Sequence, residues 1–243
     1  MHPPPLPAIG CALFFDFDGT LADIAATPDA VVVAPTVLRA LPLLQAAHGG
    51  ALAIVSGRPV AEIDVYLQPL RLFVAGVHGA ERRGADGFLR RIALPELGPA
   101  EQLVRGFVAL HPALQLEMKP GAMALHYRAA PELEDLCVDI MAQAQSLVEG
   151  LSLMGGKRVV ELKPHRANKG AAVAAFMEEA PFLTRKPWVF GDDVTDEAAF
   201  EAALAMGGVA VKVGEGESLA PFRLPDPAAL HAWMEQGVQE KFA

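Results

Sequence analysis

Cysteine is scarce. Cys11 and Cys137 are the only two, far apart and without the spacing of a metal site, so they read as small buried apolar residues in a reducing compartment. Positive charge is also in deficit, with 20 Lys and Arg against 29 Asp and Glu and a net charge of −9. No basic patch stands out to neutralise a phosphate backbone, so nucleic acid is not an expected partner. No apolar run reaches the roughly 20 residues that span a bilayer, which argues against a membrane partner. The opening M-H-P-P-P-L-P has neither a basic start nor an apolar core, so a signal peptide is not expected and a cytoplasmic location is. Low-complexity tracts and internal repeats are missing too, which argues against a disordered or solenoid chain.

The chain does hold abundant core material. Of 243 residues, 52% are hydrophobic, and 22 Gly with 20 Pro provide many turns. Short apolar runs alternate with helical patterns. Ala12 to Phe15 reads as a strand buried on both faces, followed by a helix from Ala34 to Gln45 that ends at Gly49-Gly50. Ala51 to Val55 is a second strand and Ile63 to Leu67 lies in a second helix; Leu72 to Val77 is a third strand. The pattern then changes. A hairpin around Gly84 to Gly87, a helix from Pro95 to Leu110, strands from Leu114 to Lys119 and Met123 to Arg128, a helix from Pro131 to Glu149 and a strand from Lys157 to Lys163 read as an α+β insertion. Alternation resumes with a helix from Lys169, a strand at Trp188 to Phe190, a helix from Asp196 and a strand ending at Val213. Residues 1–82 and 164–243 are therefore expected to form one doubly wound, Rossmann-like parallel-sheet core, interrupted by an α+β cap over 83–163.

Two acidic clusters occupy equivalent places. D-F-D-G-T, with Asp16 and Asp18, follows the first strand, and G-D-D-V-T-D-E, with Asp192, Asp193 and Asp196, follows the Trp188 strand. Taken alone, the first is also a turn sequence and the second also an acid-rich helix start. If the strands are neighbours, the carboxylates face one another at the carboxyl end of the sheet, where such folds bind ligands, and supply oxygen for Mg²⁺. Ser56-Gly57-Arg58 ends the second strand at a helix amino end, a place for an anion or for simple capping. A phosphate beside these acids needs a cation. Lys169, opening a helix in N-K-G, is favoured over Lys163, which stands before Pro164 near the same return. Lys212, Asp226 and Trp233 read as structure or surface.

D-F-D-G-T-L, S-G-R, the lysine and G-D-D-V-T-D-E, in this order over residues 16–197, resemble the four motifs of the haloacid dehalogenase (HAD) phosphohydrolase superfamily. G-V-H-G-A-E, Glu117-x-Lys119, His126-Tyr127-Arg128, and E-L-K-P with N-K-G resemble the trehalose-6-phosphate phosphatases over nearly the whole chain, the first ten and last thirty or so residues excepted. The resemblance implies a HAD core with a C2-type cap, and roles for the residues. Asp16 would attack phosphorus and form an aspartyl-phosphate. Asp18 would protonate the leaving sugar and then activate water, while its main-chain carbonyl joins Asp16 and Asp192 on Mg²⁺. Ser56, Gly57 and Lys169 would hold the phosphoryl oxygens, and Asp193 and Asp196 would orient groups around the metal.

The small-molecule partner implied is a sugar phosphate. Arg58 and His78 at the core edge and Glu117, Lys119, Arg128 and Glu161 in the cap offer polar groups to its hydroxyls, and cap closure would expel water. An ordinary solvated strand charge remains the other reading of each cap residue. Rival functions are a different HAD sugar phosphatase, acting on sucrose phosphate or a glycosyl phosphoglycerate, a phosphomutase, or a catalytically silent carbohydrate-sensing domain.

Overall fold

The computed structural model describes residues 2–7, 10–25, 27–92, 94–165 and 167–242. The chain forms two compact units, a larger one of residues 1–90 with 168–243 and a smaller one of residues 91–167.

The larger unit is built on β1 (Ala12–Phe15), whose four residues are all buried. Period-two alternation sends Leu13 and Phe15 into one apolar cluster and Ala12 and Phe14 into another, as expected for a strand covered on both faces. On one side β1 pairs in parallel with β2 (Leu52–Val55), which pairs with β3 (Phe73–Gly76). On the other side it pairs in parallel with β10 (Pro187–Gly191), then β11 (Val209–Val213) and β12 (Phe222–Leu224). The strand order therefore reverses at β1, the switch point where such sheets open a crevice. β4 (Glu81–Arg83) turns back antiparallel to β3, and β5 (Leu89–Arg91) forms the edge.

Two helical layers cover this sheet. α1 (Pro35–Ala47), α2 (Val60–Tyr66) and α7 (Pro227–Phe242) contribute Leu41, Leu44, Ile63, Leu230 and Met234 to the first cluster. α5 (Lys169–Met177) and α6 (Glu197–Ala205) contribute Val173, Phe176, Ala199 and Phe200 to the second. α5 begins where it does because the Asn168 side chain accepts from the amides of Gly170 and Ala171, which satisfies two of the free donors at its start.

The smaller unit is a four-stranded antiparallel sheet with two helices. The strands are β6 (Gln115–Lys119), β7 (Ala122–His126), β8 (Leu151–Gly156) and β9 (Val159–Pro164), in the order β6-β7-β9-β8. Its helices are α3 (Gly98–Leu110) and α4 (Glu134–Ser146). One sheet face, with Met123, Leu125, Val160 and Leu162, packs with Val104, Cys137 and Met141. The alternating residues on the other face include Glu117, Lys119, Ala124, His126 and Glu161.

Several expectations from the sequence shift. The units part at 90/91 and 167/168 rather than at 82/83 and 163/164, because the β4 and β5 segment extends the larger sheet beyond β3. The helix expected to Glu149 ends at Ser146, and Gly155-Gly156 lies within β8 rather than before a lone strand. The turn falls instead at Lys157-Arg158, where Arg158 takes φ +65°. Both cysteines are buried, and neither forms a disulfide. None of the helices among the described residues is long and apolar enough to cross a membrane.

Candidate active site

The register of β1 and β10 brings the two acidic clusters together. Phe15 pairs with Phe190, and the Asp16 amide donates to the Phe190 carbonyl at 2.9 Å, so Asp16 and Asp192 leave adjacent strands one residue apart in register. Carboxylate oxygens of Asp16, Asp192 and Asp196 lie within 4.8 Å of one another, and all three residues are buried. Lys169 reaches this group from the start of α5. Its Nζ donates to Asp196 Oδ1 at 2.7 Å and sits 2.8 Å from Asp16 Oδ1.

The electrostatics follow from burial. The Asp16 carboxyl is pushed well above the usual carboxylate range by loss of solvent and then by Asp196, with Lys169 acting in the opposite direction. Burial pushes Asp196 up to about 6, against the pull of Lys169. Burial also works against the Lys169 charge, but Asp16 and Asp196 more than offset it and raise its pKa. Crowded buried carboxylates of this kind are eased by a cation. The donors are hard oxygens, which suit Mg²⁺ better than a soft transition metal, so the residues fit a magnesium ion.

The second cluster is shaped by its own hydrogen bonds. Asp196 Oδ2 accepts from the amides of Asp192 and Asp193, while Asp193 Oδ1 accepts from the amide and hydroxyl of Thr195 and caps the short 3-10 helix over Val194–Asp196. Burial raises the Asp193 pKa, but Lys169 and these bonds outweigh it and leave the group below its ordinary value. Gly19, at φ +81°, presses directly on the Asp192 carboxylate; a Cβ there would collide with it.

Asp18 lies apart from the carboxylate trio. Its two oxygens accept from Arg58 Nε and Nη2 at 2.7 and 2.8 Å, a bidentate pair. Arg58 also donates to Glu62 at 3.2 Å, and its guanidinium lies 5.0 Å from the ring centre of Tyr66 and 5.8 Å from that of Phe17. Burial disfavours its charge, but Asp18 more than offsets this and raises its pKa. Arg58, expected among the substrate contacts, is thus engaged chiefly by Asp18.

The turn that holds Ser56 and Gly57 is tied to the segment after β3. Ser56 is buried, and its Oγ accepts from the Arg58 amide at 3.1 Å. The Val77 amide donates to the Arg58 carbonyl and the His78 amide to the Ser56 carbonyl. Val77 and His78 both take positive φ, +49° and +54°, a conformation that costs non-glycine residues and that these bonds hold in place. The His78 ring packs against Gly57 so closely that a Cβ on Gly57 would meet it at 2.8 Å.

On the smaller unit's polar face Lys119 Nζ donates to Glu161 at 2.9 Å and lies 3.8 Å from Glu117, while His126 Nε2 is 2.8 Å from Glu117 Oε2. Burial raises the Glu117 pKa, but His126 and Lys119 outweigh it and hold the carboxyl below its ordinary value. Arg128 stands exposed two residues past β7. Lys163 belongs to this unit, on β9, whereas Lys169 joins the acidic crevice.

Two residues given no role in the sequence reading take part. His126 braces Glu117, and the alternation of β7, which sets it on the face of Ala122 and Ala124, was the available signal. Lys212, read as structure or surface, is buried, and its Nζ donates to the Asp192 carbonyl at 2.5 Å. A lysine inside the apolar run V-A-V-K-V was the hint.

A doubly wound sheet with an acidic crevice at its switch point and an inserted α+β unit has the layout of an α/β protein that binds its ligand at the carboxyl ends of the strands. The sequence model described as trehalose-phosphatase matches residues 14–228, and the chain belongs to that family. It is 43% identical over 226 residues to the trehalose-6-phosphate phosphatase of Escherichia coli (strain K12), covering 92% of this chain and 85% of that protein. To the probable trehalose-phosphate phosphatase of Sinorhizobium fredii it is 43% identical over 210 residues, covering 84% and 77%. The solved C-terminal domain of C. albicans trehalose-6-phosphate phosphatase superposes with a TM-score of 0.84 at 21% identity, over 95% of this chain and 93% of that one, a likeness of fold.

Proposed function

We propose that the chain hydrolyses trehalose 6-phosphate to trehalose and phosphate with Mg²⁺ as cofactor and Asp16 as nucleophile. The observation that carries this reading is the trio of Asp16, Asp192 and Asp196 with Lys169 bridging two of its members. Family membership supplies the substrate class.

Asp16 attacks phosphorus in line, so the bond to the sugar oxygen breaks as the aspartyl-phosphate forms. Asp18 gives its proton to the departing sugar oxygen, then takes one from the water that opens the acyl-phosphate. Both Asp18 oxygens accept from Arg58 in the free protein, so the carboxyl turns from that partner before the first step. Ser56, the Gly57 amide and Lys169 hold the phosphoryl oxygens. Asp16, Asp192 and the Asp18 main-chain carbonyl would hold Mg²⁺, which would supply positive charge against the phosphoryl oxygens. Asp193 and Asp196 keep the crevice in shape.

Glu117, Lys119 and Glu161 take the sugar hydroxyls as an alternating set of acceptor, donor and acceptor, with Arg128 and His78 as further contacts. In the free protein these groups pair with one another, so a ligand replaces bonds already made. A sugar that fails to reach them leaves charged groups without partners, which penalises it. A kcat/KM panel of sugar phosphates, with and without Mg²⁺, tests the reading. Trehalose 6-phosphate is expected to be preferred and its turnover to need the metal; preference for sucrose phosphate or a glycosyl phosphoglycerate would reassign the substrate.

A further inference from the structure

We infer that Lys212 is a positioning residue of the acidic crevice, fixing the Asp192 peptide so that the Asp192 carboxylate is aimed at the Mg²⁺ site. The inference rests on the proposed Mg²⁺ role of Asp192. Lys212 sits on β11 opposite Gly191 of β10, one strand away from the acid it serves. It is 4% exposed, and burial of a lysine requires compensation. Its Nζ donates to the Asp192 carbonyl at 2.5 Å.

The Asp192 amide is held from the other side. It donates to the carboxylate of Asp196 at 3.0 Å. Both main-chain polar groups of Asp192 are therefore bound by charged side chains of opposite sign, the anion on the N–H and the cation on the C=O. Such charge-assisted bonds are shorter and stronger than neutral ones. The Asp192 side chain is confined in turn by Gly19, whose missing Cβ leaves room for the carboxylate. Main chain and side chain are each constrained, which leaves the carboxylate little freedom to swing. Groups that orient a metal's ligands in this way commonly matter almost as much as the ligands. The strand run V-A-V-K-V brings one charge into a buried strand, and this tether accounts for it.

The sign of the effect separates positioning from simple charge. Lys212 is a cation near a cation site, so removing its charge alone would tighten Mg²⁺ binding by Coulomb's law. Releasing the Asp192 peptide would loosen it. Calorimetric titration of the full chain with MgCl₂ alone is therefore decisive. Lys212→Met is expected to weaken Mg²⁺ binding about 10- to 100-fold relative to the unaltered chain. Lys212→Leu, which likewise lacks a donor for the carbonyl, serves if the first variant does not fold; it too is expected to bind Mg²⁺ more weakly. Unchanged or tighter binding by a folded variant, judged by its tryptophan fluorescence, would overturn the inference. Failure of the unaltered chain to bind Mg²⁺ would instead overturn the metal reading beneath it.

Discussion

Replacing Arg58 by Ala tests the tie between the second strand's turn and the proposed proton donor. Arg58 has 8% of its side chain exposed and Asp18 has 36%. Breaking a fully buried ion pair costs about 3–5 kcal/mol, while an exposed pair contributes about 0–1 kcal/mol. Arg58→Ala leaves the partly exposed Asp18 for water to resolvate, so the loss of the pair falls between these limits, at about 2 kcal/mol. Loss of the guanidinium from the Phe17 and Tyr66 rings adds about 0.5–1 kcal/mol. A destabilisation near 3 kcal/mol lowers Tm by about 6–12 °C in a chain of this size. Both tryptophans, Trp188 and Trp233, belong to the larger unit, so fluorescence melts follow the unit that carries the pair. A double-mutant cycle with Asp18→Ala is expected to give a coupling of about 1–2 kcal/mol. Kinetically, Arg58→Ala is expected to lower kcat with KM for trehalose 6-phosphate little changed, since it acts through Asp18. A coupling near zero, or a large rise in KM with kcat intact, would refute the reasoning and return Arg58 to the substrate contacts.

Three further outcomes follow from the same geometry. Gly19→Ala places a methyl against Asp192 at φ +81°; Mg²⁺-dependent turnover is expected to fall at least about 100-fold while the fluorescence melt still shows a cooperative fold. His126→Ala removes the brace on Glu117; KM for trehalose 6-phosphate is expected to rise about 5–20-fold in steady-state kinetics, with kcat nearly unchanged. Without metal, folded Asp196 keeps its proton up to about pH 6, whereas an unfolded aspartate releases it near about 3.9. The folded state then binds more protons between these values, so this group's contribution to stability falls as pH rises through that window. Mg²⁺ competes with those protons, so the rise in Tm on adding it is expected to be larger near about pH 7.5 than near about pH 5.

Local pattern reveals the scaffold of the site better than its wiring. Ala12 to Phe15 and Pro187 to Gly191 stand out because strands buried on both faces are short and apolar, and each is followed at once by acids. The meeting of Asp16 with Asp192 needed only that these strands be neighbours, which they are. Lys169 is favoured over Lys163 because a helix start fixes its base, and in the structure it pairs with Asp16. The pairing of Arg58 with Asp18 spans 40 residues of sequence, and no local period encodes it.

β8 is hidden because Gly155 and Gly156 read as punctuation, although both sit in paired positions. β12 and α7 lie beyond the motifs, yet Trp233 of α7 packs against Trp188 and Phe190 of β10, the strand that carries the second acidic cluster. Lys212 is hidden for the opposite reason: lysines are usually solvated, so one in an apolar strand draws no role until its partner is known.

The most direct test of the central claim is phosphate release from trehalose 6-phosphate by the purified chain and by its Asp16→Asn variant, each with Mg²⁺. Turnover is expected from the unaltered chain and none from the variant, whose melt shows it still folded. An inert unaltered chain, or a variant that retains activity, would contradict the claim.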